Sequence, residues 1–212
     1  EICACLVGSE MCIRDSLMTA GSKKDIALGA IADALCENCE EILAANKIDL
    51  ENGEKSGLTA SLLDRLRLSE DRINGMADGV RQVAALPDPV GRVLDGRTLK
   101  NGLQIEKVTV PMGVIGIIFE ARPNVTSDAA ALCLKAGSAV ILRGGKEAFH
   151  SNMAIARVMR DALEKSGFPR DCVALVEDTT RQSATELMQL SDYLDVLIPR
   201  GGAGPVSYTH LR

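Results

Sequence analysis

The sequence predicts an α/β fold: a doubly wound parallel sheet with an N-terminal helical segment and a β-hairpin. Three observations carry that expectation. Two short β-branched runs, Val114 to Phe119 and Ala139 to Leu142, are apolar throughout, as strands covered on both faces must be. The segment between them places Ala129, Leu132, Cys133 and Ala136 at i, i+3, i+4 and i+7, a helical stripe with Ser127 or Asp128 available as cap and Gly137 just past its end. The alternation of apolar run and helical stripe then continues to the end of the chain. A βαβαβαβ order with right-handed crossovers gives one parallel sheet.

In chain order, residues 1–16 show no clear period. From Lys23 to Asn46 the residues Leu28, Ile31, Leu35, Cys39 and Ile42 step at three and four, which describes one long amphipathic helix. Cys36-x-x-Cys39 lies within it and reads as helix packing, because this pair does not open a helix after a strand. Asn52-Gly53 and Ser56-Gly57 mark a loop, and Thr59 caps a helix carrying Leu62, Leu63 and Leu66. Ser69 caps the next, with Ile73, Met76, Ala77, Val80 and Ala84 inward, so residues 17–86 form a helical segment. Leu86-Pro87-Asp88-Pro89 ends it. Residues 87–110 read as an antiparallel hairpin or meander, punctuated by Asp95-Gly96 and Asn101-Gly102.

Residues 111–204 carry the parallel core. After its first two strands, a helix turns Ile155, Val158, Met159 and Ala162 inward and stops at Gly167-Phe168-Pro169. Cys172 to Val176 is a third strand. Thr179-x-x-Gln182 makes a capping box for a helix with Ala184, Leu187 and Met188 inside, and Asp195 to Ile198 is a fourth strand ending in Arg200-Gly201-Gly202-Ala203-Gly204.

Composition narrows the function classes. The net charge of -5 argues against a nucleic-acid or anionic-membrane partner, and two Tyr, three Phe and no Trp leave no stacking platform for bases. An odd seven cysteines and two histidines fit neither a disulfide framework nor a zinc site, so free thiols in a reducing compartment are expected and no metal is assigned. No apolar run reaches the length of a membrane span, and no basic then apolar leader opens the chain. A soluble, cytoplasmic protein acting on a small molecule is the expectation.

Ligands of parallel sheets bind beyond the carboxyl ends of the strands, here Glu120-Ala121-Arg122-Pro123-Asn124 and Arg143-Gly144-Gly145-Lys146-Glu147. G-x-G-x-x-G is absent from the turn after the first strand, since Gly113 and Gly116 fall at or inside that strand. A P-loop is absent too, because Gly144-Gly145-Lys146 lacks both the earlier glycine and the following Ser or Thr. What remains is a cation-bearing glycine turn at one strand end and the Gly201, Gly202, Gly204 cluster at another, where bare N–H groups and a Lys charge could meet phosphate oxygens. Tight turns and a solvated lysine are the competing reading. Arg122 is a candidate for bidentate contact with a carboxylate or phosphate, or else an ordinary ion-pair member.

EARPNVTSD, LCLKAGSAVILRGGKE and LIPRGGAG, in that order, resemble the gamma-glutamyl phosphate reductase (glutamate-5-semialdehyde dehydrogenase) family of the aldehyde dehydrogenase superfamily, over roughly Leu17 to Gly204. The resemblance implies an aldehyde dehydrogenase-like cofactor domain, NADP(H) as cofactor, gamma-glutamyl phosphate as substrate, a role in proline biosynthesis and a homo-oligomer whose contacts include the hairpin strands. It implies that Lys146 lies by the adenosine ribose or its 2'-phosphate; Arg143, Gly144 and Gly145 of the same turn are cofactor-binding candidates beside it. Gly201, Gly202 and Gly204 would lie near the cofactor phosphates, which leaves Arg122 as the candidate, on its own chemistry, for the substrate's carboxylate or phosphate. Asn124 would donate to the oxyanion formed when a cysteine attacks the carbonyl. That cysteine belongs to a second domain beyond the glycine turn, so the chain is expected to be an N-terminal part that is inert alone. A free-standing nucleotide-binding or interaction module is the alternative. Residues 1–16 and 205–212 fall outside the family pattern and are expected to be non-native flanks that add no core.

Overall fold

A computed structural model describes residues 21–201. The expected flanks, and Gly202 and Gly204, lie outside the described residues. The order is α1 (Gly21–Glu37), α2 (Cys39–Lys55), α3 (Ala60–Leu66), α4 (Glu70–Ala85), β1 (Val93–Thr98), β2 (Gln104–Val108), β3 (Val114–Phe119), α5 (Asn124–Lys135), β4 (Ala139–Arg143), α6 (Phe149–Lys165), β5 (Val173–Leu175), α7 (Arg181–Gln189) and β6 (Val196–Arg200).

The core is a four-stranded sheet in the order β5-β4-β3-β6, and every neighbouring pair in it is parallel. All six residues of β3 are buried, as the uniformly apolar sequence predicts. One face buries Ile115, Ile117, Phe119, Val140 and Leu142 against α1, α2, α4, α5 and α6. The opposite face buries Val114, Ile118, Ile141 and Ala174 under Leu187 of α7, with Leu194 and Leu197 packed beside them. From β3 the chain therefore winds outward through α5 and α6 on one face, then returns through α7 on the other to place β6 on the far side of β3. That reversal creates a topological switch point between β3 and β6, the position where open α/β sheets bind ligands.

Several local expectations are corrected. The long first helix is two helices, because Asn38 leaves helical geometry (φ -102, ψ 23) while the apolar spacing runs on through it. Asn52-Gly53 is helical, not loop: Gly53 is buried, and a Cβ there would lie 2.9 Å from Leu58 Cδ1. The turn comes at Gly57, with φ 75. Asp95-Gly96 lies inside β1, at a register shift, and the hairpin turn is formed at Asn101-Gly102. The crossover helix starts at Asn124, ahead of Ser127, and Leu132 is 54% exposed, so its inward face runs through Val125, Ala129, Ala130, Cys133 and Leu134. The cap of α7 is Thr180, whose Oγ1 accepts from Ser183 N, rather than Thr179.

Buried charges pin the helices to the sheet. Lys24 donates to Asp88 at 2.8 Å and to the carbonyl of Lys135, one of the orphan acceptors at the end of α5. Lys135 reaches back to Asp25 and to the carbonyl of Ala84. On the other side, buried Asp49 of α2 accepts from the N–H groups of His150 (3.1 Å) and Ser151 (2.7 Å) and from Ser151 Oγ (2.6 Å). A carboxylate there satisfies orphan donors and meets the positive end of the α6 dipole. These contacts hold α5 and α6 where their N-termini approach the ligand edge.

Candidate functional site

Three strand ends meet at one edge of the sheet. β3 ends at Phe119 and passes into Glu120-Ala121-Arg122-Pro123, β4 ends at Arg143 before Gly144-Gly145-Lys146, and β6 ends at Arg200 before Gly201. The register puts Phe119 beside Arg200 and Ile118 beside Arg143, so the sequence-predicted segments come together. A cleft of about 420 Å³ opens at the switch point, lined by Phe119, Glu120, Arg122, Arg200, Gly201 and, from α3, Arg65.

Arg122 is exposed in a tight turn in which its N–H donates to the Glu120 carbonyl at 2.8 Å. Asn124, expected in the loop, is instead the first residue of α5. Its Nδ2 donates to Asp128 Oδ2 at 3.0 Å, which fixes the amide plane and leaves the second N–H of the same group to point elsewhere. Burial pushes the Asp128 carboxyl up, against the opposing pull of the Asn124 hydrogen bond and the Arg200 charge.

At the β4 turn the glycines are required by packing. A Cβ on Gly144 would meet Asn152 Nδ2 at 2.2 Å and Phe119 at 3.2 Å, and one on Gly145 would crowd Glu147 and the backbone of Glu120. Asn152 is buried; its Oδ1 accepts from Thr126, whereas its Nδ2 has no partner among the described residues. Arg143 is half-buried and committed: one guanidinium nitrogen donates to the carbonyls of Thr179 (2.7 Å) and Thr180 (2.6 Å) ahead of α7. Burial pulls its pKa down, with Asp178 and Glu147 opposing. Lys146 is exposed at the start of a short 3-10 turn, which makes it the accessible cation of this loop.

None of the described cysteines lies at this edge. Cys133 faces the core from α5, where burial pushes its thiol up to about 12, and buried Cys172 precedes β5. At pH 8 iodoacetamide is expected to leave both unlabelled in the native protein and to label both in denaturant. Native labelling of Cys133 at the rate of a small-molecule thiol would contradict this packing. The sequence reading missed Arg65, Arg200 and Asp128. A signal existed for Asp128, since Asn124 and Asp128 stand at i and i+4 on one helix face.

No family model matches the chain. It is 55% identical over 184 residues to the gamma-glutamyl phosphate reductase of Clostridium novyi and 59% identical over 183 residues to that of Moorella thermoacetica, matches that cover 87% and 86% of this chain. The chain spans 44% of the length of either relative. Among solved structures it superposes on a gamma-glutamyl phosphate reductase from Thermotoga maritima with TM-score 0.96 at 39% identity, covering 98% of this chain and 50% of that one. The enzyme of the same name from Saccharomyces cerevisiae gives TM-score 0.89 at 34% identity, with 97% and 52% covered. A probable aldehyde dehydrogenase from Listeria monocytogenes shares the fold alone, at TM-score 0.75 and 16% identity, with 97% and 43% covered. Over about half the length of these relatives, the chain is similar in sequence and in fold to gamma-glutamyl phosphate reductases, and it shares the α/β fold of an aldehyde dehydrogenase.

Proposed function

We propose that this chain forms the N-terminal, cofactor-side part of a cytoplasmic, NADPH-dependent reductase that converts gamma-glutamyl phosphate to glutamate 5-semialdehyde in proline biosynthesis. The supporting observation is the switch-point cleft, which gathers Arg122, Arg200 and Gly201, with Asn124 adjoining at the start of α5. Bound NADPH would supply the hydride. The residues fit a dinucleotide: the β4 turn is stripped of side chains at Gly144 and Gly145, an exposed cation follows at Lys146, and Gly201 follows β6 across the edge. Asn124, held by Asp128, would donate to a carbonyl oxygen that gains negative charge. The nucleophilic cysteine is assigned to the length of the relatives that this chain does not span.

The complete reading frame that encodes this chain, once expressed, should oxidise NADPH in the presence of gamma-glutamyl phosphate. Absence of that activity in a folded protein would leave the free-standing module as the better reading. Within that protein Lys146→Ala is expected to weaken NADPH several-fold more than NADH, because Lys146 is the exposed cation of the β4 turn and would meet the 2'-phosphate. Equal losses for the two cofactors would remove that role. Arg143→Ala should instead destabilise the fold, since its guanidinium holds the loop before α7.

The hairpin supports self-association of the longer protein. Every residue of β1 and β2 is exposed, and Val93, Leu94, Ile105 and Val108 are among the apolar ones. Such an uncovered apolar ribbon suits burial against another subunit. Sedimentation of the complete protein as a monomer would contradict it.

A further inference from the structure

A second cleft, of about 410 Å³, opens between α3, α4 and α5 and shares Arg65 and Arg122 with the switch-point cleft. Asn124 and Asp128 line its α5 wall, and Gly75 and Met76 its α4 wall. Its charges divide into spent and unspent. Arg72 is spent, donating to the carbonyls of Asp64 and Arg67 and pairing with Asp64. The side chains of Arg65 and Arg122 make no ion pair or hydrogen bond among the described residues. Asp128 uses Oδ2 on Asn124, and its Oδ1 faces the bare Cα side of Gly79, 3.8 Å from where a Cβ would stand.

Helix α4 carries glycine at both 75 and 79, one turn apart. Glycine inside a helix is unfavourable, and packing does not demand it at Gly75, where an added Cβ would meet no atom within 4 Å. Gly75 itself lines the cleft. One wall therefore offers room, the opposite wall an acceptor, and the shared rim two guanidinium forks.

We propose that this cleft is the subsite for an α-amino-acid head group, with Asp128 Oδ1 accepting from the α-ammonium and Arg65 and Arg122 holding the α-carboxylate. The assignment deepens the reductase reading and rests on it. A phosphate alone would satisfy the arginines but be repelled by Asp128, whereas a zwitterion satisfies both. Burial raises the Asp128 carboxyl, and a bound cation would offset that effect as the Asn124 hydrogen bond and the Arg200 charge already do in part. The Asn124–Asp128 hydrogen bond then links recognition to chemistry: a glutamyl chain anchored at Asp128 is short enough to leave its distal carbonyl near the Asn124 amide.

The test is a titration of this chain followed by backbone amide resonances, with L-glutamate as the probe and three comparison ligands. Glutarate lacks the ammonium, 4-aminobutyrate lacks the α-carboxylate, and inorganic phosphate offers an anion alone. L-glutamate should shift the amides of residues 122–128 saturably and bind at least tenfold more tightly than any of the three. Asp128→Asn should abolish the preference over glutarate while leaving that over 4-aminobutyrate. Arg65→Gln should do the reverse. Should Asp128→Asn fail to fold, Gly75→Leu, which fills the cleft from α4 and favours the helix, should weaken L-glutamate at least tenfold with a thermal midpoint no lower than that of the parent chain. No saturable shift, tighter binding of phosphate than of L-glutamate, or equal loss of all ligands in Asp128→Asn would overturn the assignment. The two readings separate cleanly. Selective glutamate binding without NADPH oxidation in the complete protein removes the reductase and keeps the subsite; oxidation with an unchanged KM in Asp128→Asn removes the subsite and keeps the reductase.

Discussion

Replacing Asn124 by alanine in the complete protein is expected to lower kcat about 10²- to 10³-fold with little change in KM, the loss that follows removal of one preorganised oxyanion donor. The expectation comes from position. Asn124 opens α5 at the switch-point edge, and the Asp128 hydrogen bond holds its amide in one orientation, so the second N–H is aimed before substrate arrives. This chain by itself is expected to show no turnover with either gamma-glutamyl phosphate or the semialdehyde, because an amide cannot form a thioester and the described thiols are packed away from this edge. NADPH formation from semialdehyde and phosphate that disappears in a Cys133→Ser, Cys172→Ser variant would overturn the placement of the nucleophile outside this chain. An unchanged kcat in Asn124→Ala would remove the oxyanion role.

The parallel core was legible because burial on both faces forces β3 and β4 to be apolar at every position, a pattern that few other structures demand. The crossover helix was legible from its period, but its facing was misjudged at Leu132, where an apolar residue stands exposed and a single sequence cannot say so. The break at Asn38 was hidden for a related reason: Leu35, Cys39 and Ile42 keep helical spacing across it. Residues of the candidate site that follow a strand could be listed from the strand ends alone. Arg65 could not. It arrives from α3, which is placed by Asn46 bonding the carbonyl of Leu66 and the N–H of Leu68, contacts between residues about twenty positions apart that leave no local pattern. The cap that Asp49 provides to α6 spans 101 and 102 positions, and the packing that demands Gly144 involves Asn152 on the following helix. Periodicity records what a segment buries, not what it is buried against.

Gly113→Ala is expected to be among the most damaging single substitutions in the chain. Gly113 precedes β3 with φ +106, in the region that side chains rarely adopt, and a Cβ there would fall 2.0 Å from Asp195 Oδ2. That oxygen accepts from Val114 N at 2.8 Å, while Asp195 N donates to the Val114 carbonyl and Ala139 N to the Gly113 carbonyl. The residue thus sits where β3 is tied to β4 on one side and to the approach of β6 on the other. An alanine must adopt a strained backbone, costing about 1–3 kcal/mol, and displace Asp195, which leaves the Val114 N–H unpaired at a further ~1–3 kcal/mol. Against a total of about 5–15 kcal/mol for a typical domain, the sum removes a large share of the stability. Gly29→Ala provides the internal contrast: it lies within α1 with no atom within 4 Å of an added Cβ, and should stabilise by about 0.5–1 kcal/mol. Urea unfolding of the two variants beside the parent chain measures both. A Gly113→Ala midpoint equal to that of the parent would show that the turn before β3 relaxes without cost and that Asp195 does not fix the register of β6 against β3.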